Sequence, residues 1–160
     1  MKIGVLADTH VNELEDLPKK VVDGLTGVDL IVHAGDYTGK DLLDGLRKLG
    51  DFKGVFGNMD PPEIRSELRA VEVFEVAWVR IGITHPAEGG APFKLAKRVR
   101  KKFQQVDIII FGHSHWVKNE MKDHTLYFNP GSTIGSFLTR YKSYGILKID
   151  NGIEARIIKL

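Results

Sequence analysis

The sequence predicts an α/β protein because three features of its 160 residues coincide. Short unbroken apolar runs recur, namely Ile3-Gly-Val-Leu-Ala7, Leu30-Ile-Val32, Val55-Phe56 and Ile108-Ile-Ile-Phe111. Runs of this kind, bounded by turn residues, suit strands covered on both faces. Segments with apolar residues at helical spacing lie between the early runs. From Ala70 onward the texture changes to alternating, β-rich segments.

Taken in order, the Ile3 run is the first strand, and residues 14–25 form a helix leading to the Leu30 strand. Residues 39–49 form a second helix, with Leu42, Leu43, Leu46 and Leu49 on one face, and the Val55-Phe56 strand follows. Such strand–helix–strand alternation implies parallel neighbours joined by right-handed crossovers. Val71, Val73, Phe74 and Val76 lead into Val79-Arg-Ile-Gly-Ile83, which alternates with period two, so these two segments are adjacent antiparallel strands. A helix from Pro92 to Gln105 opens on proline, where a missing N–H does no harm, and precedes the Ile108 strand. Residues 117–121, 126–129, 144–149 and 153–158 read as strands, the last two joined as a hairpin about Asp150-Asn-Gly152. Without repeats, low-complexity segments or linkers, residues 1–160 are expected to form one domain.

Composition narrows the function classes. With 42% hydrophobic and 28% charged residues the chain can bury a core. Lys+Arg number 23 and Asp+Glu 21, a net charge of +2, so any basic surface is local and does not wrap the whole protein. The absence of cysteine removes disulfides, thiolate metal sites and cysteine nucleophiles. Asp8 and His10 interrupt the N-terminal apolar run before a signal-peptide core is reached, and no apolar stretch spans a membrane. A soluble, cytoplasmic protein is expected.

The chemistry stands immediately after the apolar runs. Ile3–Ala7 is followed by Asp8-Thr9-His10, Leu30–Val32 by His33-Ala-Gly-Asp36, Val55-Phe56 by Gly57-Asn58-Met59-Asp60, Ile83 by Thr84-His85, and Ile108–Phe111 by Gly112-His113-Ser114-His115. In open α/β sheets the ligand crevice lies beyond the carboxyl ends of the strands, so these distant residues are expected at one rim. Seven side chains of metal-ligating type exceed the needs of one ion. Two divalent cations sharing a carboxylate account for the number, and such pairs, about 3.5–4 Å apart, stabilise both the attacking and leaving oxygens of an in-line displacement. The mixed oxygen and imidazole set favours manganese, iron, zinc, nickel or cobalt over calcium or magnesium, and manganese is the expected ion.

The ordered series Asp-x-His, Gly-Asp, Gly-Asn-x-Asp, His, Gly-His-x-His, with the later Asn129-Pro-Gly-Ser132 loop, resembles the calcineurin-like metallophosphoesterases, in particular the small prokaryotic phosphodiesterases of the YfcE type. The resemblance implies a four-layer αββα sandwich, two mixed β-sheets flanked by helices, known as the metallo-dependent phosphatase fold. It further implies that Asp8, His10, Asp36 and His115 hold one metal and that Asp36, Asn58, His85 and His113 hold the second, with Asp36 bridging. A metal-bridging hydroxide would then attack phosphorus while Asn58 helps neutralise the phosphoryl oxygens. A small phosphodiester substrate and a homodimer or small oligomer are the expected partners. His33 has no ligand role in the pattern and is expected as a packed strand residue.

Two departures matter. Met59 stands where many relatives carry a histidine able to protonate the leaving oxygen, and His85-Pro86-Ala87-Glu88 lacks the second imidazole that some relatives place there. Asp60 or Glu88, if buried with a raised pKa, would be substitute donors. A missing general acid penalises poor leaving groups most, so the expected activity is on phosphodiesters with good leaving groups.

Two other readings compete. The basic run Lys94, Lys97, Arg98, Arg100, Lys101 and Lys102 reads as a solvated helix face with Phe93, Ala96, Val99 and Phe103 turned inward; its alternative is a nucleic-acid footprint, as in a nuclease. The retromer scaffold subunit shares the fold without needing catalysis, but the seven metal-competent side chains favour an enzyme. Trp116 reads as a packing residue, with a place in a substrate pocket as its alternative.

Overall fold

The computed structural model describes residues 1–86, 88–91, 93–135, 139 and 141–160. The first part of the chain builds β1 (Lys2–Leu6), α1 (Lys19–Leu25), β2 (Leu30–His33), α2 (Lys40–Leu49), β3 (Phe52–Gly54) and α3 (Pro62–Glu67). The middle builds β4 (Val71–Val76), β5 (Val79–Thr84), α4 (Leu95–Arg100), β6 (Ile108–Phe111), β7 (Lys118–Lys122) and β8 (Thr125–Asn129). The closing hairpin, β9 (Ser143–Ile149) and β10 (Ile153–Lys159), returns to the first sheet, where β9 pairs antiparallel with β1. Two five-stranded mixed sheets result, in the orders β10-β9-β1-β2-β3 and β4-β5-β6-β8-β7.

Burial explains the unbroken apolar runs. Ile3, Val5, Leu30 and Val32 of the first sheet meet Ile81, Ile83, Ile108 and Ile110 of the second in one core between the sheets. The alternate residues Leu6 and Ile31 face outward and are covered by Val21, Leu25, Leu42 and Leu46 of α1 and α2. On the far side Ile109 and Phe111 are covered by Leu95 and Val99 of α4, with Phe103. Each inner strand is therefore apolar on both faces because a layer packs on each. The four layers and the parallel pairing β1-β2-β3 are as expected, and so is the antiparallel β4-β5 pair.

Several boundaries differ from the sequence expectation. Residues 14–25 are not one helix: Leu14–Asp16 is a single 3-10 turn, Leu17 before Pro18 is extended, and α1 begins at Lys19. The third strand is Phe52–Gly54, whereas Val55 makes only an isolated bridge to Arg69 and Phe56 lies beyond it. α4 spans Leu95–Arg100 only, because Lys94 takes a left-handed backbone conformation, φ 56°, that breaks the helical phase before it; Pro92, the expected start, lies outside the described residues. Phe93 is consequently 63% exposed and not turned inward with Val99 and Phe103. The short α3, absent from the apolar-spacing pattern, opens on the Pro61-Pro62 pair.

Candidate metal centre

The chain leaves β1, β2, β5 and β6 at one rim, and there the backbone turns sharply. Asp8, His10, Asp36, His113 and His115 all have positive φ, five of the ten non-glycine residues with that conformation among the described residues. Left-handed backbone is costly for side chains with a Cβ, and its concentration here marks a functional rim. Two glycines permit the close approach. A Cβ on Gly57 would stand 2.1 Å from Asp36 Oδ1, and one on Gly35, at φ 90°, would stand 2.7 Å from His85 Nδ1.

The structure brings all seven expected side chains together. His10 Nε2 and His115 Nε2 are 3.1 Å apart, and His115 Nε2 lies 3.6 Å from Asp8 Oδ1. Asn58 Oδ1 lies 3.1 Å from His85 Nε2 and 2.9 Å from His113 Nδ1. Asp36 Oδ2 stands between the groups, 3.4 Å from His85 Nε2 and 3.9 Å from His10 Nε2. Asp8, His10 and His115 form one cluster with ligand atoms close enough for a cation, and Asp8, Asp36 and His85 form another, so Asp8 as well as Asp36 sits near the middle.

Hydrogen bonds made away from the centre fix which ring nitrogens face it. His85 Nδ1 contacts Ala34 O at 2.7 Å and His113 Nε2 contacts Gly90 O at 2.8 Å. With those nitrogens donating, the other nitrogen of each ring turns its lone pair inward, towards Asn58 Oδ1 and Asp36 Oδ2. Acceptors then face acceptors, an arrangement that either a cation or a proton on His85 Nε2 satisfies. His115 Nδ1 is buried without a hydrogen-bond partner, a further sign that the rim is built around something polar. The oxygen and imidazole donor set fits a divalent transition metal.

Ionisation behaves accordingly. Burial pushes the Asp8 carboxyl up to about 7, with Asp36 adding to the rise and His85 opposing it. Burial also raises the Asp36 carboxyl, but the hydrogen bond and charge of His85 and the Met59 N–H outweigh this and lower it. Burial and the neighbouring His10 depress His115 to about 4, and burial lowers His10 despite the Asp36 charge. Burial disfavours the charged form of His85 too, yet Asp36 and Asp8 raise it overall, so a proton and a cation compete for the same nitrogen.

The surrounding residues hold this geometry. Asp60, 4% exposed, accepts the backbone N–H of Asp36, Tyr37, Thr38 and Gly57. Both oxygens are thus committed to backbone, which corrects the expectation of a proton donor. Glu88, by contrast, is exposed; desolvation alone would raise its carboxyl, but its own backbone N–H, Lys102 and Arg98 lower it overall, so it is no substitute acid either. Ala87 lies outside the described residues. Asp8 Oδ1 and Oδ2 each accept the His113 N–H at 3.0 Å, and Ser132 Oγ donates to Asp8 O at 2.6 Å. Arg65 clamps the Gly57–Asp60 turn through the carbonyls of Gly57, Asn58 and Asp60. Nothing in the sequence pattern flagged Arg65, which looks like any surface residue of a short helix. His33 is buried, 2.9 Å from Thr9 Oγ1 and stacked on Tyr37, and burial drives its pKa well down, so it is the packed neutral strand residue expected.

The sequence profile described as the calcineurin-like phosphoesterase superfamily domain matches residues 1–152. The chain belongs to that superfamily. Among curated relatives of this chain, a probable metallophosphoesterase of Methanocaldococcus jannaschii is 34% identical, aligned over 100% of this chain and 82% of that protein. Among solved structures, one described as a novel archaeal phosphodiesterase superposes with a TM-score of 0.78 at 26% identity, covering 100% of both chains. Vps29 of Entamoeba histolytica, complexed with Zn²⁺, superposes with a TM-score of 0.74 at 25% identity, covering 99% of each chain. No helix among the described residues is long and apolar enough to cross a membrane.

Proposed function

We propose that the chain is a phosphodiesterase dependent on two divalent cations, one held by Asp8, His10, Asp36 and His115 and the other by Asp36, Asn58, His85 and His113. The observation that carries the proposal is the inward-facing set of donor atoms, imidazole nitrogens whose other nitrogens are tied to Ala34 and Gly90 and which face Asn58 Oδ1 and Asp36 Oδ2. Such a cation pair, when bound, acidifies water near neutrality and stabilises the oxygens of an in-line displacement. The Zn²⁺ complex of Vps29 supports a divalent cation in this fold, and the donor set suits manganese, nickel, cobalt, iron or zinc.

The chain's own residues supply orientation. Asp36 reaches both histidine groups and is held by the Met59 N–H, so its carboxylate is fixed for both positions. Asn58 sits at the rim on a turn clamped by Arg65, where its amide can meet a phosphoryl oxygen. Met59 is 58% exposed and has no proton to give, and neither Asp60 nor Glu88 replaces it. Substrates are therefore phosphodiesters whose leaving group departs unprotonated.

The nuclease alternative loses ground. Arg98 is spent on the carbonyls of Gly89 and Ala91, Arg100 on those of Phe103 and Gln104, and Lys102 on Glu88, so half of the basic run is engaged within the fold. The likeness to Vps29 sustains a second reading, a protein-binding scaffold using the same rim. Metal content measured beside a panel of diesters and monoesters separates them. The expected result is about two ions per chain after loading with Mn²⁺ or Ni²⁺, with bis-p-nitrophenyl phosphate cleaved much faster than glycerol phosphate. Asp8→Asn or His85→Ala lowers metal occupancy and turnover together. Less than one ion per chain after loading overturns the proposal in favour of the scaffold.

A further inference from the structure

We infer that the cleft walled by Phe93 and Trp116 is a subsite for a planar aromatic ring carried by the phosphate substrate, an inference that rests on the phosphodiesterase reading of the adjoining rim. The cleft has a volume of about 320 Å³ and is lined by Phe93, Lys94, Leu95, Phe111, Ser114 and Trp116 among others. That is the lower range of small-molecule sites.

One wall continues the loop that carries His113 and His115, and the other is bonded to His113. Ser114 stands between His113 and His115, and its hydroxyl is held by Asn129 Nδ2 at 3.2 Å and by the Trp116 N–H at 3.3 Å. Trp116 follows His115 directly, so its backbone is one peptide, about 3.8 Å, from the metal-ligating loop. On the other wall Gly90 O accepts from His113 Nε2, three residues before Phe93. A phosphoryl group at the rim therefore places its substituent beside these rings.

The rings themselves are partly open to solvent. Phe93 is 63% and Trp116 39% exposed, although large aromatics contribute most when buried. Their centroids are 5.9 Å apart with planes tilted by 55°, so they brace each other as a preformed corner. Lys94, whose left-handed backbone throws Phe93 out of the helix, also lines the cleft and supplies positive charge for an anionic ligand. Exposed apolar surface next to a phosphate-binding rim, with a cation at its edge, matches a ring joined to a phosphate. The ring has two sources, an aryl group or a nucleobase.

The test uses the full metal-loaded chain carrying Trp78→Phe, so that emission reports Trp116 alone. Phenylphosphonate is compared with methylphosphonate, and adenosine 5′-monophosphate with ribose 5-phosphate, by Trp116 fluorescence and by inhibition of bis-p-nitrophenyl phosphate hydrolysis. Each aromatic member is expected to quench Trp116 and to bind about ten-fold tighter than its non-aromatic partner. A gain larger for the nucleotide pair than for the phosphonate pair identifies a nucleobase; the reverse identifies an aryl group. Phe93→Ala and Trp116→Ala bring the paired inhibition constants to near equality. Hydrolysis with equal constants in the parent and no change in emission overturns the cleft and leaves the phosphodiesterase reading standing. Aromatic quenching in a chain that hydrolyses no diester supports the cleft and overturns that reading instead. Trp116 shielded from acrylamide before any ligand is added places a protein on the cleft and overturns the subsite.

Discussion

Replacing Asp60 by asparagine changes almost no volume, yet it strikes four backbone donors at once. Oδ1 accepts from Tyr37 at 2.6 Å and Thr38 at 3.0 Å, and Oδ2 from Asp36 at 3.0 Å and Gly57 at 2.7 Å. Whichever way the new amide is turned, its NH₂ faces two N–H groups and both lose their acceptor. A hydrogen bond to a charged group contributes about 1.5–3 kcal/mol, so two of them amount to about 3–6 kcal/mol before the loop relaxes. The carboxylate is only 4% exposed, so water replaces little of this. Relaxation of the turn recovers part, leaving an expected loss of about 3 kcal/mol in the unfolding free energy of the metal-free protein. Urea denaturation monitored by circular dichroism measures it. Since two of the donors belong to Asp36 and Gly57, Asp60→Asn is also expected to retain less Mn²⁺ after dialysis. A stability loss under about 1 kcal/mol together with full metal retention would refute the role assigned to Asp60, because the two turns would then be holding each other without it.

Asp8 gives a pH signature. Its folded pKa, about 7, lies above the ordinary carboxylate value of 3.8, so its contribution is present below pH 3.8 and is lost as pH rises through about 7. Metal-free Asp8→Asn is therefore expected to gain stability relative to the parent between pH 4 and pH 8, by a few kcal/mol; parallel stability curves would count against the buried carboxylate. Met59→His, at a 58% exposed position on the rim, is expected to raise the rate on glycerol phosphate relative to bis-p-nitrophenyl phosphate by about 10–100-fold, and an unchanged ratio of the two rates speaks against a missing proton donor. Gly57→Ala puts a methyl 2.1 Å from Asp36 Oδ1; the expected outcome is a loss of about 1–3 kcal/mol and of metal occupancy by elemental analysis.

The strand-end residues were legible because β strands buried on both faces leave an unmistakable run, and the polar residue that ends each run has nowhere to go but the rim. Ile3–Ala7 and Ile108–Phe111 show this, with Asp8 and His113 brought within hydrogen-bond distance across 105 residues of chain. Local exceptions were not legible from apolar spacing. Residues 14–25 kept a helical pattern that Pro18 interrupts. Phe52, a partly exposed edge-strand residue, carried less signal than Val55-Phe56, although the ladder runs through Phe52–Gly54. Phe93 fell at helical spacing from Ala96 but precedes the residue that breaks the helix. That Asp60 is no substitute proton donor was not legible either, because sequence shows a carboxyl but not the four N–H groups aimed at it.

Strain at the rim bears on whether it holds a cation at all. Five of the seven converging side chains sit on left-handed backbone, each costing on the order of 1 kcal/mol or more relative to a relaxed conformation. Gly57 and Gly35 are confined to contacts no larger residue could make, and Asp60 spends a buried charge to keep the turns together. A rim serving only as a docking face would gain stability by placing glycine at the strained positions and by replacing the inward-facing acceptors with packed apolar groups. The arrangement instead points lone pairs from separate strand ends at common centres, where a cation, or failing that a proton on His85, is needed to hold them together. Divalent metal binding to the folded chain would offset the strain, so the stabilisation gained on adding Mn²⁺ should exceed what inert salt gives and should collapse in His85→Ala, where the nitrogen shared between Asn58 and Asp36 is gone. Equal stabilisation of parent and variant would mean that the cation binds elsewhere.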